Sequence, residues 1–213
     1  MEANIPNSLT VSRILATAVV CVLVMLGTPF GNGLALAAYL YACITDFLDG
    51  YLARMWRQQS SFGRVLDPIA DKLLVASALL VLVGVDRLQG IHLIPAVVIL
   101  WREILVSGLR EFLAHLHVGM PVTRLAKWKT TLQMVALGFL IIGDAGPAVG
   151  QVTSTTIGIV GLWAAAALTL FTGYDYVRAG LRHMGDGDAD TGPSAERRAG
   201  PHVKRADPAR DPG

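Results

Sequence analysis

Residues 73–85 read LLVASALLVLVGV, an unbroken run with a single hydroxyl and no charge. A helix of a soluble bundle keeps a polar stripe at the helical period. This run has none, and neither has 19–26, VVCVLVML. Outward from it lie five more apolar stretches, 14–27, 33–45, 91–101, 132–143 and 157–172. Each is shorter than the ~20 residues that cross a bilayer, so each helix must continue into its polar flank. The breaks at 28–32, 86–90, 119–121 and 144–150 are rich in Gly, Pro, Asn and Asp. The pattern predicts an all-α, polytopic membrane protein with six transmembrane helices. Residues 5–13, with Pro6 and an Asn7-Ser8 cap signal, are expected to form an N-terminal interfacial segment.

Composition agrees. Of 213 residues 53% are hydrophobic and only 16% charged, against about one-quarter charged in average soluble domains. A net charge of +2 gives no case for nucleic-acid binding. Cys21 and Cys43 sit in apolar runs and read as buried thiols, which excludes a disulfide scaffold or a zinc site. After Met184 the character changes. Residues 185–213 hold four Pro, five Gly and mixed charges, with Val203 the one aliphatic beyond Ala. That segment cannot bury enough apolar area to offset its ordering entropy. The expected organisation is a membrane-embedded domain over 1–184 and a disordered cytosolic tail over 185–213. Bases fall on alternate loops: Arg13; Arg54, Arg57, Arg64 and Lys72; Arg124, Lys127 and Lys129; Arg178 and Arg182. The opposite loops contain Arg87 alone. This asymmetry predicts a multi-pass protein of the cytoplasmic membrane with both termini in the cytosol.

Ten acidic residues lie outside the tail, and four have no local reason to be there: Asp46, Asp49, Asp67 and Asp71. At 100° per residue, Asp46, Asp49, Gly50 and Ala53 share a narrow helix face, and Asp67 and Asp71 are one turn apart. Four unpaired charges would cost up to ~10–14 kcal/mol at ~2.5–3.5 each in mid-membrane, an upper bound for a site near the interface. Cations should offset that cost. All-oxygen ligation by Asp favours Mg²⁺ or Mn²⁺ over Zn²⁺. One local alternative has force: Asp67-Pro68 also reads as a helix start, Asp as N-cap and Pro in the first turn.

Asp46-Phe47-Leu48-Asp49-Gly50-Tyr51-Leu52-Ala53-Arg54, then Gly63, Asp67 and Asp71 at fixed spacings, resembles the motif of the CDP-alcohol phosphotransferase family, with every fixed position filled. The resemblance covers 5–182. Residues 6–10 with Arg13 are similar to the family's N-terminal stretch, and 102–111 and 127–133 to the branch that makes phosphatidylglycerophosphate. It implies a six-span homodimer with its active site on the cytosolic side. That enzyme moves a phosphatidyl group from CDP-diacylglycerol to an alcohol, for this branch sn-glycerol 3-phosphate, and releases CMP. By the same resemblance Asp46, Asp49, Asp67 and Asp71 hold two divalent ions, Asp71 is also the general base, and Asp49, Gly50, Ala53, Arg54 and Gly63 bind the CDP portion.

Glycerol 3-phosphate needs a cationic pocket. Its candidates are Arg110, Lys127, Lys129 and Arg178, with Arg102 beside them. Lys127 and Lys129 are ~200° apart around a helix, so sharing a pocket would need a non-helical loop. The rival readings are another acceptor (inositol phosphate, serine or phosphatidylglycerol) and, in a different class, a divalent-cation transporter, since intramembrane carboxylates also mark ion pathways.

Overall fold

The computed structural model describes residues 4–56, 61–115, 124–148 and 150–189. They form six α-helices: α1 (Asn4–Met25), α2 (Pro29–Trp56), α3 (Ser61–Gly84), α4 (Leu93–His115), α5 (Arg124–Ile142) and α6 (Ser154–Ala189). The described residues contain no strand. Three of the helices carry segments long and apolar enough to cross a membrane: Ser8–Met25, Gly90–Leu109 and Ser154–Gly173. α3 reaches bilayer length only by taking in Asp67, Asp71 and Lys72.

Local chemistry sets the boundaries. Thr28 caps α2, its Oγ1 accepting from Gly31 N at 3.0 Å, and Pro29 follows at the first helical position. Thr153 caps α6 in the same way, through Thr156 N at 3.2 Å. α5 ends at Gly143, whose φ of +54° is the left-handed conformation glycine tolerates. There Arg87, from the loop after α3, donates Nη1 to the carbonyls of Leu140 (2.9 Å) and Ile141. A cation at the negative end of a helix is favourable. A Cβ on Gly143 would meet that guanidinium at 2.8–3.1 Å.

One expectation changes and one alternative falls. α1 is one helix from Asn4, with no separate interfacial piece, because Pro6 lies in its first turn and nothing downstream breaks it. α3 begins at Ser61 and contains Pro68, so Asp67 is not its N-cap. The expected break at 28–32 shrinks, since α2 begins at Pro29 and Gly31 and Asn32 are already helical. The break at 86–90 stands, between the end of α3 at Gly84 and the start of α4 at Leu93. The break at 119–121 lies outside the described residues. α6 continues five residues past Met184, to Ala189; residues 190–213 lie outside the described set.

Packing divides the bundle in two. α1 packs on α2 and α3, while α6 packs on α4 and α5. The halves meet through α2 against α5, with a smaller contact of α3 with α4 and α5. Between α5 and α6 small residues allow close approach: a Cβ on Gly158 would strike Leu140, and one on Gly161 would strike Ala136. Large apolar side chains point outward from every helix, among them Leu15, Phe47, Leu80, Trp101, Trp128 and Phe171. A protein in water exposes no such continuous apolar belt. The interior meanwhile holds Arg13, Lys129, Gln133 and Thr169, each nearly inaccessible. Apolar outside and polar inside is the arrangement of a membrane protein.

Candidate active site

Position 13 is the hub of the acidic half. Arg13 lies in the middle of α1 with its side chain fully buried. Its Nη1 is 2.8 Å from Asp46 Oδ1 on α2 and 2.9 Å from Asp71 Oδ1 on α3. One turn earlier on α1, Thr10 Oγ1 donates to Asp67 Oδ1 at 2.6 Å. Three of the four carboxylates singled out by spacing thus converge on one face of α1. The helices explain why: α2 and α3 are continuous through these positions, so the one-turn spacings of 46/49 and 67/71 hold. Asp49, Gly50, Ala53, Arg54 and Gly63 lie on the same two helices; their side chains and immediate surroundings are outside the described set.

Arg13 brings one positive charge to this group. Two carboxylates bond it directly and a third stands beside them, so the group keeps net negative charge. Asp46 and Asp71 retain 37% and 50% exposure, which leaves carboxylate oxygen open to a ligand. Among the described residues no three acidic, His or Cys groups close into a finished coordination sphere. The donor set is hard oxygen throughout, which suits Mg²⁺ or Mn²⁺ and not a thiophilic metal.

Asp67 and Asp71 form one wall of a cleft of about 300 Å³. Pro68 and Lys72 complete that wall, and Arg102, Glu103, Val106 and Ser107 of α4 form the other. Lys72 Nζ donates to Pro68 O at 3.0 Å. Glu103 is linked to Lys129 of α5 by an ion pair, and Arg102 Nη1 lies 3.4 Å from the same Oε1. The cleft therefore has acids on the α3 side and a mixed cationic cluster on the α4 side.

Of the candidate acceptor cations, Lys129 is 1% exposed and reaches the cleft through Glu103, whereas Arg102 lines it. α5 is already helical from Arg124, so no loop brings Lys127 and Lys129 to the same side. Arg110, Lys127 and Arg178 have side chains outside the described set. Neither Thr10 nor Arg13 is among the site residues that sequence spacing singles out. A signal existed for both: Thr10, Arg13 and Thr17 recur at helical spacing along α1, and all three are buried.

Residues 3–171 match the profile of the CDP-alcohol phosphatidyltransferase family. The chain is 45% identical over 179 residues to a Rickettsia prowazekii protein named CDP-diacylglycerol–glycerol-3-phosphate 3-phosphatidyltransferase, covering 84% of this chain and 96% of the relative. Proteins with the same name from Cereibacter sphaeroides and Pseudomonas fluorescens are 39% identical over 219 residues and 40% identical over 184. Those alignments cover 87% and 85% of this chain, and 99% and 92% of the relatives.

Proposed function

The chain belongs to the CDP-alcohol phosphatidyltransferase family, and from that membership we propose that it transfers the phosphatidyl group of CDP-diacylglycerol to sn-glycerol 3-phosphate. The products are phosphatidylglycerophosphate and CMP. The observation that carries this reading is the cleft: carboxylates of a phosphotransferase motif stand on one wall and a cationic cluster on the other. Relatives at 39–45% identity over most of the chain carry the name of this activity.

In this reading the acceptor hydroxyl oxygen bonds to the phosphorus that carries diacylglycerol, and the bond from that phosphorus to the CMP oxygen breaks. Asp46, Asp49, Asp67 and Asp71 would hold two divalent ions, Mg²⁺ or Mn²⁺. When bound, such ions offset charge on the diphosphate and on the developing leaving group. Asp71 takes the hydroxyl proton, which loosens as the new bond to phosphorus forms. Asp49, Gly50, Ala53, Arg54 and Gly63 receive the CDP portion. Arg102 and Lys129, with Arg110 and Arg178, form the cationic side that the acceptor phosphate requires, and Lys127, ~200° from Lys129 around α5, falls away from it. Thr10 and Arg13 bond the carboxylates and so position Asp46, Asp67 and Asp71.

We further infer six transmembrane spans in the cytoplasmic membrane, the site and both termini facing the cytosol, a homodimer, and a cytosolic tail beyond the membrane domain. The outward apolar residues on all six helices support the span count. The distribution of basic residues supports the orientation.

The test is acceptor competition. Purified protein with Mg²⁺, CDP-diacylglycerol and a panel of glycerol 3-phosphate, inositol phosphate, serine and phosphatidylglycerol is assayed for CMP release. Release driven best by glycerol 3-phosphate is the expected result. Preference for another alcohol would keep the family chemistry and replace the acceptor.

A further inference from the structure

The α4–α6 half holds an acid where the proposed reaction needs a cationic surface. Glu103 Oε1 accepts from Lys129 Nζ, and Arg102 Nη1 lies 3.4 Å from that same oxygen. Lys129 is 1% exposed, Arg102 13% and Glu103 27%. A buried ammonium left without an anion is strongly destabilising. Glu103 supplies the anion, and it does so from the wall of the cleft that also contains Asp67 and Asp71.

The position of that carboxylate oxygen is informative. It is a point where two cations from different helices converge on one anionic oxygen, on a residue that lines a cavity of about 300 Å³. A phosphate oxygen is held in the same way, by the guanidinium fork and an ammonium together. One turn along α5 from Lys129, Gln133 is 2% exposed and its Oε1 has no hydrogen-bond partner. This buried face carries polar capacity that packing alone does not use.

We propose that Glu103 is an internal stand-in for the acceptor's phosphate. Its carboxylate occupies the Arg102–Lys129 pair in the resting enzyme, and the phosphate of the incoming acceptor takes its place there, beside Asp67 and Asp71. The exchange forms and breaks no covalent bond and leaves neither cation without an anion. It also gives selectivity, because an uncharged alcohol has nothing to exchange for Glu103, which then stays in the cleft. The inference rests on the proposed function for the identity of the phosphate ester, and on the geometry alone for the exchange.

The experiment uses the full-length protein in detergent, with inorganic phosphate as probe. Glu103→Gln keeps the shape and removes the competing charge. Without added anion this variant should melt below the wild type, and phosphate should raise its melting temperature more than that of the wild type. Apparent phosphate affinity should rise at least about tenfold, the size of one charged hydrogen bond no longer contested. KM for glycerol 3-phosphate should fall while KM for CDP-diacylglycerol holds. Equal phosphate responses in the two proteins would overturn the proposal. Should Glu103→Gln fail to fold, the double variant Glu103→Gln/Lys129→Gln removes both charges, a change that stability tolerates better than breaking the pair. It should lose the phosphate response; a retained response again overturns the idea. Wild-type CMP release with glycerol 3-phosphate separates the two levels. A strong Glu103→Gln phosphate response without wild-type turnover would sink the acceptor identity and keep the exchange. Turnover with equal responses would do the reverse.

Discussion

In α1–α3 a buried arginine stands among carboxylates, and in α4–α6 a carboxylate stands between two bases. One cluster gathers three carboxylates around a single buried base, and the other sets two bases around a single carboxylate. The sign of that lone residue matches the sign of the ligand its half would take: cations beside Arg13, an anion beside Glu103. Both lone residues bond across helices, Arg13 from α1 to α2 and α3 and Glu103 from α4 to α5, so each also sets the distance between helices. The difference lies in exposure. Arg13 is completely buried and its partners are half open, whereas Lys129 is buried and Glu103 faces the cleft. The acidic half is fixed from within and opens outward at the ligands; the basic half is fixed from without and opens at the stand-in.

The sharpest way to break this contrast is at Asp71. Asp71→Asn should lower kcat by about 10²–10⁴-fold, the usual worth of a positioned general base, measured as CMP release on folded protein in saturating Mg²⁺. A loss below tenfold would move the base elsewhere. On the opposite wall, Arg102→Ala should raise KM for glycerol 3-phosphate about 10–150-fold, from the loss of a charged hydrogen bond. KM for CDP-diacylglycerol should stay within a factor of two to three of the wild type, and equal increases for both substrates would erase the division between the halves.

Arg13→Gln comes next. Its partners are half exposed, so the loss of stability should fall between the ~1 kcal/mol of a surface pair and the ~3–5 of a buried one. Thermal unfolding in detergent with chelator measures it. Mg²⁺ or Mn²⁺ should restore more stability to this variant than to the wild type, since the metals then carry the compensation alone. The smallest effect is expected from deletion of 190–213, where CMP release and melting temperature should both stay within error. A large loss would assign the tail a contact that its composition does not suggest.

Much of this was legible because helices impose a period. The runs without a polar stripe announced the helices, and one-turn spacing grouped 46 with 49 and 67 with 71. Arg13 was counted as a base at a loop, since charge position along the chain says nothing of which face the residue takes once a helix continues through it. For Glu103 the sequence shows only its neighbour Arg102, because adjacency is all that is visible there. The bond to Lys129, 26 residues on, depends on how α4 and α5 meet. Pro68 offers a cap reading for a physical reason, since proline is common in a first turn, yet here α3 accepts it seven residues in.

Arg87 closes a span of 53 residues when it caps α5. During synthesis the loop that carries it is complete well before α5 exists, so the guanidinium has no helix end to hold until Leu140 and Ile141 have been added. The contact is therefore a late event of assembly, available only when the fifth helix has reached full length beside the third. A chain released before Ile141 lacks the carbonyls that engage it. Arg87 thus reads out the completion of α5, at a position remote from the residues that act on substrate.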